Sequence, residues 1–569
     1  MEEKMAWAPI IPEKRGESGT AAGEFVHRFR DPSLDPADWA GFRRQAHAML
    51  DDMLGYVEGI RERPVWQPIP GRVRARFQGK TPVAAANLAD VHEEFMGSIL
   101  PYAVGNAHPG FMGWAHGGGT PVGMLAEMLA AGLNANAGGR DQIPVEVERQ
   151  VTRWMSDIFG FPQSASGLLV TGSSMANFIA VTIARDAALG FEARRLGVAG
   201  GPKKLTAYAS AAVHGCIAKA LDLAGLGSDA MRLILTDHRR RIRLDALERA
   251  IEEDRAAGFT PFFVAGTAGT VDTGAVDDLA GMAELCRTMG RAMGPAMGSA
   301  RSDRREKIWF HVDGACGALA MLAPDLAPRL KGIEQADSLA FDFHKWGQVP
   351  YDAGFILVRD GALHEKAFAS PAAYLRRETR GMAAGSPWPC DFGPDLSRGF
   401  RALKVWFTLK VFGTAAIGRA ISRTCELARY LESRIAATPE LELMAPVELN
   451  IVCFRYRAGD ADRLNSQILN RQIAIDLQES GAVAPSTTVL DGRVAIRAAI
   501  VNHRTGPAEI DALVMETLRA GRKLLRRQRP RPASLVREDW ESGRQNTPAA
   551  CHTPAPSIAQ RFGVREFEP

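Results

Sequence analysis

Five short motifs place reactive side chains directly after apolar runs. They are Lys345 in Phe343-His344-Lys345-Trp346, Asp313 in His311-Val312-Asp313-Gly314-Ala315, the turn Gly172-Ser173-Ser174, His214 after Val213, and Thr267 in Gly266-Thr267-Ala268-Gly269-Thr270. A lysine amine can condense with a carbonyl. A Gly-Ser-Ser turn opening a helix is an anion site, because the first N–H groups are free and the dipole is positive there. A carboxylate pairs with a cationic ring nitrogen. Singly, each has a plain structural use. Ser173 and Ser174 would cap any helix, His344 suits a hydrogen-bonded core position, Lys345 suits an exposed strand end, and Asp313 suits a helix cap.

The elements that must position them are seven apolar strands alternating with helical patterns. The strands are Leu168-Leu169-Val170, Leu205 to Tyr208, Leu233-Ile234-Leu235, Phe262 to Ala265, Ile308 to Val312, Ser338 to Phe341 and Gly354 to Val358. Continuous apolar runs of this kind predict a mostly parallel sheet covered on both faces, an α/β architecture. Ligands in such a sheet sit at the carboxyl ends of the strands. Every motif above lies at such an end, so an anion site, an acid and a lysine share one edge. That set suits a phosphorylated pyridine aldehyde.

Around this unit the pattern divides the chain. Residues 1–26 are expected to be loosely ordered, and 27–107 to form a helical arm, with helices from about Trp39 and from Leu88 to Ile99. The large domain is expected over 108–397. A long helix from about Arg398 to Phe412 opens a smaller α+β domain over 398–525, with strands at Asn450 to Tyr456 and Arg493 to Ala498 and helices at Ala461 to Arg471 and Ala508 to Leu525. The Arg/Pro-rich stretch 526–569 is expected to be disordered. A Gly-rich and then basic insertion, 289–307, reads as a surface loop.

The joint pattern resembles the group II pyridoxal-phosphate-dependent amino-acid decarboxylases, the family of the aromatic-L-amino-acid, glutamate and cysteine-sulfinate decarboxylases. The run from His311 to Ala315 and the run from Asp342 to Trp346 carry the resemblance. So do Gly172-Ser173-Ser174-Met175-Ala176-Asn177, Val213-His214 and Phe400-Arg401-Ala402-Leu403-Lys404; it extends over 27–525. It implies the type I pyridoxal-phosphate fold, a homodimer with sites at the subunit interface, and pyridoxal 5'-phosphate as cofactor. By that resemblance Lys345 holds the cofactor through its amine, Asp313 pairs with the pyridine nitrogen, and His214 stacks on the ring. Thr267 lies on the ring's other side, Ala315 lies beside the cofactor, and Ser173, Ser174 and His344 cradle the phosphate. Asp342 stands where the aromatic-amino-acid enzymes have asparagine, so its carboxylate is expected to point away from the phosphate or to leave that contact to backbone N–H groups. Tyr374, in Ser370-Pro371-Ala372-Ala373-Tyr374-Leu375, matches the lid tyrosine that reprotonates the product carbon. Relatives with phenylalanine there tend to be oxidative aldehyde synthases, so tyrosine favours decarboxylation to the amine.

The substrate side is less determined. Phe111 and Trp114, in the segment from His108 to Trp114, read either as aromatic pocket walls or as core. A Gly-rich run, Gly117-Gly118-Gly119, replaces the family's Pro-Thr. Ser397 falls at a position linked to phenolic substrates, and Arg140 or Arg398 would serve an acidic substrate. The alternatives are another pyridoxal-phosphate reaction on the same scaffold (decarboxylation-coupled oxidative deamination or carbon–carbon lyase chemistry) or a non-catalytic binding protein. Composition sets further bounds. Of 569 residues 46% are hydrophobic, and the net charge of +4 does not argue for nucleic acid. Seven cysteines without a CxxC pair argue against a zinc site or disulfide framework and for a reducing cytoplasm. No apolar run reaches the roughly 20 residues of a membrane helix.

Overall fold

A computed structural model describes residues 34–199, 203–291, 307–370, 376–457 and 463–528. The described residues up to Leu524 form one compact unit. Its strands, in chain order, are β1 (Phe111–Met112), β2 (Ser166–Val170), β3 (Leu205–Ser210), β4 (Met231–Ile234), β5 (Thr260–Thr267), β6 (Trp309–Asp313), β7 (Ser338–Asp342), β8 (Gly354–Val358), β9 (Leu441–Leu443), β10 (Ile451–Tyr456), β11 (Ala484–Leu490) and β12 (Arg493–Ala499).

The seven expected strands form one sheet in the order β2-β8-β7-β6-β5-β3-β4. β4, β3, β5, β6 and β7 run parallel, and β8 lies antiparallel between β7 and β2. Both faces are covered, and residues alternate between two cores. On β7, Leu339 and Phe341 join one cluster with Phe159, Met155 and Val312, while Ala340 joins the other with Ile179, Ile183 and Ile217. β4 is the exception. As an edge strand it leaves Leu233 exposed, which its apolar sequence did not foretell.

The helical expectations hold with shifted ends. Asp38 caps Trp39–Glu58 by accepting from the N–H groups of Ala40 and Gly41, and Asn87 caps Leu88–Ser98. Arg401–Ala436 runs past the expected stop at Phe412, but Gly413 breaks it there with φ of 72°. The second sheet has five strands, β1-β11-β12-β10-β9. β1, β9 and β11 were not foreseen, being too short or too polar to stand out. β1 pairs in parallel with β11, Phe111 beside Ala484, and this pins the segment after His108 against that sheet.

Candidate active site

β5, β6 and β7 end side by side. Thr267 is in register with Asp313, and Asp313 with Ala340. Beside them the Ser173–Ala188 helix starts directly after β2. A cavity of about 340 Å³ opens at this edge. Its wall contains Ser173, Ser174, His214, Thr267, Asp313, Ala315, His344 and Lys345. The structure therefore gathers every expected cofactor-side residue that lies within the described residues. Tyr374 falls outside them.

Asp313 is buried, and its Oδ1 accepts from the Ala315 N–H at 3.1 Å and its Oδ2 from the Asn177 amide at 3.2 Å. His214 is exposed toward the cavity, and its Nδ1 accepts the Cys216 N–H. The Nδ1 of His344 accepts the Ala353 N–H at 3.0 Å, and burial lowers this imidazole to about 4, so the ring is neutral. Lys345 pairs with Asp342, Nζ to Oδ2 2.8 Å. Burial opposes its charge, but Cys316 and the carboxylates of Asp342 and Asp313 outweigh that and hold the ammonium above the usual lysine range.

Of the two arrangements expected for Asp342, the first does not occur, because its carboxylate faces the start of the Ser173–Ala188 helix. Its Oδ1 accepts the Ser173 backbone N–H at 2.7 Å and its Oδ2 the Ser173 hydroxyl at 2.8 Å. Burial works against its charge, yet the Lys345 ammonium keeps its carboxyl below the ordinary range. The first N–H of the helix is thus already bonded to a carboxylate.

Two polar atoms at this wall are buried without a partner in the protein, the Thr267 hydroxyl and Nη2 of Arg497. Leaving such groups unmatched costs on the order of 1–3 kcal/mol each. A ligand with an anionic or hydroxyl group beside Thr267 and a carboxylate near Arg497 relieves both. With the acid, the lysine and the helix start, this donor set fits pyridoxal phosphate and an amino acid together.

Several wall residues were missed from the sequence. Arg497 sits in β12, where Nε bonds the Val271 carbonyl and Nη1 the Gly113 carbonyl. An arginine in the middle of the otherwise apolar run from Val494 to Ala499 was the available signal. Cys216, Cys316, His116 and Tyr351 also line the wall. The rings of Phe111, Trp114 and His116 form a triangle, His116 lying 5.7 Å from Phe111 and 6.2 Å from Trp114 with 6.0 Å between those two, and His116 meets Tyr351 edge-on at 5.5 Å. Trp114 is on the wall, whereas Phe111 is buried behind it in β1. The Gly-rich run has a packing reason. A Cβ on Gly117 would lie 2.4 Å from the Lys345 carbonyl oxygen, and one on Gly118 2.6 Å from the Asn502 side chain.

Ser397 is exposed and off the cavity wall. Neither basic candidate serves the pocket. Arg398 is locked to Glu148 in a buried pair at 2.6 Å, and Arg140 stacks on Trp388 at 4.6 Å.

The family model for the pyridoxal-dependent decarboxylase conserved domain matches residues 70–457. An aromatic-L-amino-acid decarboxylase from Bacillus atrophaeus is 31% identical over 485 residues, 83% of this chain and 94% of that protein. A phenylacetaldehyde synthase from Arabidopsis thaliana is 27% identical over 82% of this chain and 93% of its own length. Among solved structures, the Oryza sativa TDC with PLP and tryptamine superposes with a TM-score of 0.76 at 23% identity, covering 87% of this chain and all of that one.

Proposed function

The chain belongs to the pyridoxal-dependent decarboxylase family, and from that premise we propose that it converts an aromatic L-amino acid to the amine and CO2 in the cavity around Lys345. It is a carboxy-lyase of the type I fold, and its cofactor is pyridoxal 5'-phosphate. The substrate class rests on one observation, the aromatic rim of Trp114, His116 and Tyr351 on the cavity wall. Stacked rings of this kind favour a flat apolar side chain.

When bound, the cofactor supplies an electron-poor ring that accepts the electron pair left as CO2 departs. The protein's residues do the rest. Lys345 offers the amine that attaches the cofactor and exchanges with the substrate amine. Asp313 would hold a proton on the pyridine nitrogen, His214 would cover the ring, and Thr267 and Ala315 would border it. Ser174 and His344 would border the phosphate, whereas the N–H and hydroxyl of Ser173, expected there too, are both taken by Asp342. Arg497 presents its unpartnered N–H to the substrate carboxylate. Tyr374 gives the proton to the product carbon.

The working unit is a homodimer. The Pro121–Leu133 helix leaves Leu125, Met128, Leu129 and Leu133 exposed, and Ile143 and Trp114 near it in sequence are exposed too. The Trp39–Glu58 helix buries none of its residues fully. Apolar surface of this extent is what a second copy would cover. A reducing cytoplasm suits six described cysteines that are all free thiols. Among the described residues no helix is long and apolar enough to cross a membrane.

The test is CO2 release from the common amino acids by the protein loaded with pyridoxal phosphate. Aromatic amino acids should lead, with the amine as product, and the loaded protein should absorb near ~420 nm, as expected for this cofactor on a lysine. Borohydride should fix the cofactor on Lys345 and leave none on Lys345→Ala. A protein that takes up no cofactor refutes the reading. Aldehyde, ammonia and peroxide in place of amine would instead favour the oxidative reaction that the similarity to a phenylacetaldehyde synthase keeps as the second reading.

A further inference from the structure

Beneath Asp313 lies a row of buried polar side chains that the reaction above does not use. Asn177, His311 and Ser338 have no exposed surface, and Trp309 is nearly as deep. The Trp309 indole N–H donates to Ser338 Oγ at 2.8 Å. Ser338 Oγ lies 2.8 Å from His311 Nδ1, and His311 Nε2 lies 2.8 Å from Asn177 Oδ1. The Asn177 amide donates to Asp313 Oδ2 at 3.2 Å and to Cys216 Sγ at 3.1 Å. Phe263 stacks on the His311 ring at 5.4 Å and fixes its plane.

The direction of the bonds follows from how Asn177 meets Asp313. Asn177 Oδ1 can only accept, so His311 Nε2 must carry the hydrogen. Burial lowers the His311 imidazole to about 3, so the ring is neutral and Nδ1 must accept. The Ser338 hydroxyl is then the donor to Nδ1, and its oxygen accepts from Trp309. Turning the Asn177 amide over would set its oxygen against the Asp313 carboxylate, a repulsive contact, so the orientation with the amide N–H toward Asp313 is favoured and with it the Nε2–H tautomer of His311.

We propose that Trp309, Ser338, His311 and Asn177 form a one-way hydrogen-bond relay that aims Asp313 and keeps its carboxylate ionised toward the pyridine nitrogen. The inference rests on the reading of Asp313 given above. All four are positioning residues. A donor on Oδ2 stabilises the charged carboxylate over the protonated acid, which leaves the proton on the ring nitrogen. Being neutral, the relay supplies that donor without adding a second charge to the sheet interior, where an unpaired one is expensive. Two of its members, Trp309 and His311, alternate with Asp313 on one strand, so a single face of β6 carries both the acid and part of its brace.

The experiment has one arm without cofactor and one with it. In the cofactor-free protein labelled with 15N-histidine, His311, assigned by its loss in His311→Gln, should show the neutral Nε2–H tautomer throughout the neutral pH range. In the holoenzyme, Asn177→Ala should lower kcat by roughly 10- to 100-fold, the scale for outer partners of a reacting group, while KM changes less than about twofold, as when an interaction serves mainly the transition state. The 15N shift of a labelled pyridine nitrogen should move toward the unprotonated value. Ser338→Ala, a milder packing change, should move the same signal in the same direction by less. An Nδ1–H tautomer in wild type overturns the relay. So does a folded Asn177→Ala or Ser338→Ala whose pyridine signal stays in place. A wild-type protein that binds no cofactor refutes the parent reading instead, and the histidine arm still decides the tautomer.

Discussion

Asp313 and Asp342 end neighbouring parallel strands, β6 and β7, and both are almost fully buried. Their surroundings differ in kind. Asp313 is held by neutral donors, the Ala315 N–H and the Asn177 amide, and faces the cavity. Asp342 has its cation already, because Lys345 lies 2.8 Å away, and Ser173 satisfies both of its oxygens. The pair shows that a residue type at a strand end does not by itself assign a role. The partner already present decides whether the carboxylate serves a ligand or the protein.

Substitution of each by asparagine breaks the comparison most directly. Asp313→Asn removes the charge that stabilises a protonated ring, so kcat should fall by on the order of 10²–10³-fold, the range for loss of one electrostatic stabiliser. Steady-state CO2 release measures it, and a loss under tenfold would make the two aspartates equivalent after all. Asp342→Asn should act in the opposite direction on cofactor uptake. The carboxylate holds the Lys345 ammonium up, so its removal lowers that pKa and raises the fraction of free amine at neutral pH. Each unit is tenfold in amine, and stopped-flow uptake at neutral pH should quicken by about that factor, while wild-type uptake climbs as pH rises toward the Lys345 pKa. Slower uptake by Asp342→Asn would show that its charge assists capture. The smallest effect is expected at the rim. Trp114→Ala should raise KM for an aromatic substrate by roughly tenfold, given ~0.5–1.5 kcal/mol for an aromatic pair beyond the area it buries, and should leave an aliphatic competitor nearly unchanged.

Much of the site was legible because its parts are local. Lys345, Asp313 and Thr267 each follow their own apolar strand, and Ser173 opens the helix after β2, so strand ends alone named them. Arg497 was missed because its place on the wall comes from β12 crossing to Val271 and Gly113, contacts 226 and 384 residues apart in sequence. His116 and Tyr351 were missed because their rings meet only once Gly117 passes under the Lys345 backbone. Arg398 was misjudged because a charge in the chain does not reveal the buried Glu148 that neutralises it.

The sequence by itself determined the α/β sheet and the family, and put Lys345 at a strand end, since apolar runs of strand length with reactive residues at their ends are properties of contiguous residues. The tertiary structure alone decided which way Asp342 turns, which groups stay unpaired at the cavity wall, and how Trp309, Ser338, His311 and Asn177 join behind Asp313. Those are distances between strands and helices far apart in the chain, and no local pattern encodes the direction of a hydrogen bond across them.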